Sequence, residues 1–75
     1  MVKYIIDYDI PLEPSAKRIM FYRRLKKLTE RHKGDIEKST DSVVITSNKA
    51  LAGSIYNLAE AFGEANIYEV SKKSK

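Results

Sequence analysis

The chain has 75 residues, of which 14 are Lys or Arg, 10 are Asp or Glu and none is Cys. This length suits one domain with a small core, so we expect a second subunit to add stability. The lack of Cys excludes disulfides and thiolate metal sites. No apolar run reaches the roughly 20 residues of a membrane span, so we expect a cytoplasmic protein without a membrane partner. The formal net charge of +4 favours polyanionic partners such as nucleic acid.

The first predicted element is an apolar strand, Val2 to Ile10, which stops at Pro11. Side chains alternate along a strand, so its even-numbered residues form an apolar face that should meet the core. Asp7 and Asp9 share the opposite face, with Cα atoms about 6.5 to 7 Å apart. Mg²⁺ is typically held by one or two carboxylates, water and substrate phosphates, so this pair is a candidate metal site. The alternative is a solvated strand end or a turn before the proline.

A helix is predicted next, after a short loop between Pro11 and Pro14. Ser15 is placed to cap this helix, which should run to about His32 and stop at Gly34. At 100° per residue its core-facing stripe consists of Phe21, Leu25 and Leu28.

This helix and its C-terminal flank carry eight basic residues and one acidic residue, Glu30. Those proposed to contact nucleic acid are Arg18, Arg23, Arg24, Lys27 and Arg31. Basic residues that neutralise phosphates release condensed counterions, which drives binding to nucleic acid. The alternative is an ordinary solvated helix face.

The second half of the chain predicts a hairpin, a helix and a last strand. The hairpin strands are Asp35 to Thr40 and Val43 to Thr46, separated by Asp41-Ser42. The helix should be capped by Ser47 or Asn48 and end at Gly63. The last strand is Asn66 to Val70, and we expect residues 71–75 to form a disordered basic tail.

The order strand, helix, strand, strand, helix, strand is the split βαβ pattern of the ferredoxin-like fold. We therefore predict an α+β protein with a single domain over residues 1–70. Right-handed crossovers would place both helices on one face of a four-stranded antiparallel sheet. The other face would be bare, and an outward Ile5 among charged residues hints at an interface there.

Several short motifs resemble the small CRISPR-associated Cas two family of endoribonucleases. Tyr8-Asp9-Ile10 is similar to the opening signature of that family, in which Asp9 takes the position of the metal-binding aspartate. The basic helix beginning near Arg18 is similar too. Glu37-Lys38-Ser39 lies where the family usually has a glutamine, a variable residue and a serine. Asn66 to Val70 resembles its fourth strand.

The sequence also departs from the family pattern. Members usually continue into a fifth strand that pairs with the partner subunit, whereas a lysine-rich tail follows Val70 here. The expected serine-valine-phenylalanine run is replaced by Thr40-Asp41-Ser42-Val43-Val44. The resemblance is therefore to a divergent member of the family.

The resemblance implies a homodimeric subunit of a CRISPR adaptation complex in antiviral defence, with an integrase subunit as a further partner. In that hypothesis the DNA or RNA is held by the basic helix, and one Asp9 from each subunit shares a Mg²⁺ ion across the dyad, assisted by Asp7. The second hypothesis is a nucleic-acid-binding scaffold without catalysis. The third is a protein-interaction or small-ligand domain that does not bind nucleic acid.

Overall fold

The computed structural model describes residues 2–71, in which four strands and two α-helices follow the predicted order. Their bounds are β1 (Val2–Asp9), α1 (Ser15–Arg31), β2 (Ile36–Ser39), β3 (Val43–Thr46), α2 (Lys49–Phe62) and β4 (Glu64–Ser71). The strands form one antiparallel sheet in the order β2-β3-β1-β4. The predicted α+β fold with a ferredoxin-like arrangement is therefore confirmed. Over residues 2–71, neither helix has the length and apolar character needed to cross a membrane.

Several predicted boundaries differ from the structure: β1 ends at Asp9 rather than Ile10, β2 ends at Ser39 rather than Thr40, and β4 begins at Glu64 rather than Asn66. Ser15 is the first helical residue and does not cap α1, because Pro14 is the extended N-cap residue and its carbonyl oxygen accepts the Lys17 N–H at 3.1 Å. A 3₁₀ turn over Lys33–Asp35 separates α1 from β2, which therefore starts at Ile36. Strand β4 includes Ser71, since it pairs with the whole of β1, and the rest of the predicted tail lies outside the described residues.

The core lies between the sheet and both helices, on the face of β1 predicted to be apolar. Ile6 and Tyr8 of β1 are buried, as are Phe21 of α1 and Ile55 of α2. The other buried apolar residues are Ile10, Leu25, Val44, Leu51, Ala52 and Ala59. Each fully buried large apolar side chain stabilises the fold by about 1.5 to 3 kcal/mol. The opposite sheet face carries the odd-numbered residues of β1 and is bare.

The start of α2 is fixed by a side-chain cap. The Asn48 Oδ1 accepts a hydrogen bond from the Leu51 backbone N–H at 3.0 Å, and its Nδ2 donates one to the Asp35 Oδ2 at 2.9 Å. The buried Thr46 hydroxyl donates to the Asp35 carbonyl oxygen at 2.6 Å. Of the two predicted caps, Asn48 is therefore the one used, and it also joins α2 to the 3₁₀ turn.

Gly63 ends α2 as predicted and brings that end close to the end of β1. A Cβ atom on residue 63 would lie 2.5 Å from the Asp9 carbonyl oxygen and 3.1 Å from the Ile10 Cα atom. Real Cβ atoms do not approach that closely, so only glycine fits. The backbone at Asp9 is thus held next to the C-terminus of α2.

Candidate nucleic-acid interface

The charge of the protein is divided unequally between α1 and the rest of the chain. Helix α1 has seven basic residues and one acidic residue, Glu30, for a net charge of +6. The remaining 58 residues hold seven basic and nine acidic residues, for a net charge of −2. The positive charge is therefore concentrated on one element, as in proteins that bind polyanions.

The basic side chains of α1 are not neutralised by ion pairs within the part of the chain that the structure describes. The two ion pairs over residues 2–71 join Lys3 to Glu37 at 2.7 Å and His32 to Asp35 at 3.8 Å. Neither involves α1. Six of its seven basic side chains are exposed and Arg18 is half-buried, so most of the positive charge of the helix is presented to solvent and to any binding partner.

Four of the predicted contact residues lie together on the outer part of α1. Arg23, Arg24, Lys27 and Arg31 are all exposed. On a helix of 3.6 residues per turn, the last three share the flank that faces α2. The guanidinium carbon of Arg24 lies 5.7 Å from the ring centroid of Phe62 in α2, which confirms the direction of this flank.

Lys17 joins this group, although it was not among the predicted contact residues. It precedes Arg24 by seven residues, close to two full turns, and is exposed. This seven-residue spacing could have identified Lys17 from the sequence alone. We call these five residues, Lys17, Arg23, Arg24, Lys27 and Arg31, the basic surface.

Arg18 lies on the other flank of α1 and is not part of the basic surface. Its guanidinium carbon is 5.0 Å from the ring centroid of Tyr22. The Tyr22 hydroxyl donates a hydrogen bond to the Asp41 carbonyl oxygen at 2.6 Å, in the turn between β2 and β3. The Arg18 Nε atom is buried and has no hydrogen-bond partner among residues 2–71. Arg18 is thus half-buried against Tyr22, on the flank of α1 away from the basic surface.

Tyr8 also contacts the turn between β2 and β3. The Tyr8 hydroxyl donates to the Thr40 carbonyl oxygen at 3.1 Å, and its ring lies 6.5 Å from that of Tyr22. Burial, with smaller effects of nearby Tyr22 and Asp41, raises the pKa of Tyr8 to about 12. The hydroxyl is therefore a stable donor at neutral pH, and α1 and β1 together fix the β2–β3 turn.

Asp7 and Asp9 point away from the helices, onto the bare face of the sheet, as predicted. Asp9 is exposed, whereas Asp7 is half-buried and its Oδ1 accepts a hydrogen bond from the Asn66 Nδ2 at 3.0 Å. Glu64 stands directly opposite Asp9 in the β1–β4 ladder. Sequence reasoning missed Glu64, because the register of two strands 55 residues apart cannot be read from either strand alone. Like charges directly opposite each other are destabilising.

The donor atoms at this end of β1 are of the type that a hard cation prefers. They are too few to complete its coordination. Asp9 and Glu64 offer carboxylate oxygens, which Mg²⁺ prefers, and one or two carboxylates are its usual protein ligands. No group of three or more His, Asp or Glu side chains within residues 2–71 could hold a metal ion. An ion here would depend on water and on substrate phosphates for its remaining ligands.

The basic surface and the carboxylates lie on opposite faces of the molecule. The basic surface is on the helix layer, and Asp9 faces away from that layer because β1 alternates. The Asp9 side chain and the basic surface therefore belong to different layers of the molecule. The structure groups the cations but does not bring them to the carboxylates.

Comparison with models of protein families, with curated proteins and with solved structures gives no match.

Proposed function

We propose that this protein binds nucleic acid in the cytoplasm, through contacts between its basic surface and the phosphate backbone. The observation that carries the proposal is the charge of +6 on α1, set against −2 on the rest of the chain. No ion pair within residues 2–71 offsets it. Binding of phosphates by such a surface is sequence-independent and depends strongly on salt.

Double-stranded nucleic acid fits this surface better than a single strand. Proteins that hold single strands stack bases on aromatic rings, but the ring beside the basic surface, Phe62, is half-buried under the Arg24 guanidinium group. Helix α1 has 17 residues and is about 25 Å long. A duplex carries one charge per about 1.7 Å of its axis, so the helix can reach several phosphates.

Titration of duplex DNA and duplex RNA of the same sequence, over a series of salt concentrations, tests the proposal. The logarithm of the binding constant should fall linearly with that of the salt concentration, with a slope of about −0.9 per phosphate contact. The triple variant Arg23→Ala, Arg24→Ala, Lys27→Ala should reduce the slope by about 3 units. Lys38→Ala, an exposed lysine on β2, is the matched control and should change little. A flat salt response of the wild type would contradict the proposal.

The motifs shared with the CRISPR-associated Cas two family support the same proposal, since they include the basic helix. On that resemblance we extend it to a homodimer that contacts a CRISPR integrase subunit in antiviral defence. Co-purification of the wild-type protein with that subunit tests this extension. The extension is contradicted if the two proteins do not co-purify at low salt.

A second candidate function is magnesium-dependent endonuclease activity, favoured by the position of Glu64 opposite Asp9. When bound, Mg²⁺ polarises a phosphodiester and activates water. In this chain Asp9 and Glu64 would hold the ion, while Asn66 holds the Asp7 carboxylate beside them. Because these groups lie on the face opposite to the basic surface, cleavage and tight binding should be separable by mutation.

Binding of Mn²⁺ and cleavage of duplex DNA and RNA are the two measurements for this candidate. Asp9→Asn should abolish both without lowering duplex affinity, and Glu64→Gln should weaken both. The triple variant of the basic surface should keep Mn²⁺ binding. If Asp9→Asn cleaves as well as the wild type, Asp9 has no part in catalysis.

A further inference from the structure

The two edges of the sheet are built differently. Strand β2 has four residues, carries exposed Glu37 and Lys38, and has a register shift between Ile36 and Lys38. Short strands, charges and bulges are the usual means of preventing an edge from pairing with another chain. At the other edge, β4 pairs with β1 at eight consecutive positions without a bulge. Among the described residues it has a neighbouring strand on one side only.

Three large apolar side chains are exposed along this edge, in a strand that also contains Glu64 and Glu69. Ile67, Tyr68 and Val70 of β4 are 39%, 50% and 43% exposed. Ile67 is on the helix side of the sheet, because it stands opposite Ile6, and Tyr68 and Val70 are on the bare side. Strand β4 contains no Lys and no Pro. A long, regular edge with exposed apolar side chains is a template for a further strand.

A groove beside β4 offers room for side chains of that added strand. It has a volume of about 270 Å³ and lies between β4 and α2, lined by Tyr4, Lys49, Gly53, Ile67 and Glu69. This is below the roughly 300 to 1,000 Å³ of a small-molecule site, yet above the 150 Å³ that admits a benzene ring. The groove is therefore the size of one or two side chains.

Gly53 is not explained by packing within the subunit. It lies in the middle of α2, where glycine costs roughly 0.5 to 1 kcal/mol relative to alanine. A Cβ atom there would meet nothing within 4 Å. The missing side chain leaves the wall of the groove open to a molecule that enters from outside.

We propose that β4 pairs antiparallel with β4 of a second copy of this chain, forming a continuous eight-stranded sheet. A two-fold axis perpendicular to the sheet would pass beside Ile67, so that each helix-side residue stands opposite a helix-side residue. Charge favours this side for a second copy: the groove is lined by one basic and one acidic residue, Lys49 and Glu69, whereas the +6 charge of α1 repels its own copy. Antiparallel pairing also places the two Glu64 side chains at opposite ends of the new ladder.

This dimer differs from the one expected from the sequence, in which two Asp9 residues share an ion. Asp9 stands opposite Glu64, at the first position of β4. With about 3.3 Å per residue along the strands and about 4.8 Å between strands, the two Asp9 residues would lie about 25 Å apart. Each carboxylate pair would then act within its own subunit. The inference does not depend on nucleic-acid binding.

Analytical ultracentrifugation of the full chain tests the proposal. The wild type should sediment with twice the chain mass of 8.6 kDa and dissociate on dilution. Tyr68→Lys and Ile67→Lys should weaken the dimer at least tenfold. Ile19→Lys, which adds the same charge at a 58% exposed position on α1, is the matched control and should remain dimeric. Circular dichroism establishes that each variant is folded.

Two outcomes overturn the proposal: a wild type that is monomeric at every concentration, and folded β4 variants that dimerise as well as the wild type. Hydrogen exchange keeps the test decisive if the lysine variants do not fold. In the wild type, the amides of β4 should become more protected as protein concentration rises, while those of β2 should not change. Exchange in β4 that is independent of concentration rejects the pairing.

Discussion

The guanidinium group of Arg24 lies over the ring of Phe62, with 5.7 Å between the guanidinium carbon and the ring centroid. The same ring is 6.1 Å from that of Phe21 in the core. A cation of the basic surface is thus placed by an aromatic residue that also packs α1 against α2. Arg18 has the equivalent relationship with Tyr22 on the other flank.

Replacing Phe62 by Leu should weaken both stability and binding. We expect the free energy of unfolding to fall by about 1 kcal/mol, through loss of the aromatic contacts. Duplex affinity should fall less than in Arg24→Ala, and the salt slope should stay unchanged, because the charge of Arg24 is kept. Denaturant unfolding and duplex titration measure the two effects.

The double variant Arg24→Ala, Phe62→Leu provides the control. If Phe62 acts on binding through Arg24, the second substitution should cause no further loss of affinity. Additive losses would show that the two residues act on binding separately.

The buried Tyr8 predicts a loss of stability at alkaline pH. The fold favours the neutral phenol, since burial raises the pKa of Tyr8 from 10.0 to about 12. The stabilisation from this shift is complete below about pH 10 and is lost as the pH rises through about 12. For this 5% exposed residue the loss is about 2 to 3 kcal/mol.

Tyr8→Phe separates this effect from the titration of other groups. The variant should be about 1 kcal/mol less stable at neutral pH, because the Thr40 carbonyl oxygen loses its donor. Its stability should then fall less steeply than that of the wild type between pH 10 and 12. Parallel curves for the two proteins, from urea unfolding at each pH, would contradict the role of Tyr8.

Asp9→Asn should stabilise the protein in the absence of metal ions. The substitution removes the repulsion between Asp9 and Glu64 across the β1–β4 ladder, which we expect to be worth about 0.2 to 1 kcal/mol. Asp7→Ala is the contrast, because it removes the acceptor of the Asn66 amide and should not stabilise. Thermal unfolding in chelator measures both, and added salt should shrink the gain for Asp9→Asn.

Alanine at two glycine positions should have opposite effects. Gly63→Ala should be destabilising by more than 1 kcal/mol, because its Cβ would meet the Asp9 carbonyl oxygen at 2.5 Å. Gly53→Ala should stabilise by about 0.5 to 1 kcal/mol, since its Cβ has free space within α2. Chemical denaturation of both variants checks the prediction, and equal effects at the two positions would contradict it.

The sequence by itself determined the order of the elements, the apolar face of β1 and the concentration of basic residues on α1. These follow from local rules: the period of two in a strand, the period of 3.6 in a helix, and the end of α2 at Gly63. The capping role given to Ser15 was wrong, because local rules do not decide which of two adjacent residues begins a helix.

Only the tertiary structure decided which distant residues meet. It placed Glu64 opposite Asp9, Phe62 beneath Arg24, and Arg18 away from the other cations. It also placed the basic surface on the helix layer and the Asp9 side chain on the sheet face turned away from that layer. Register and packing depend on contacts between segments far apart in the chain, and such contacts leave no periodic trace in either segment alone.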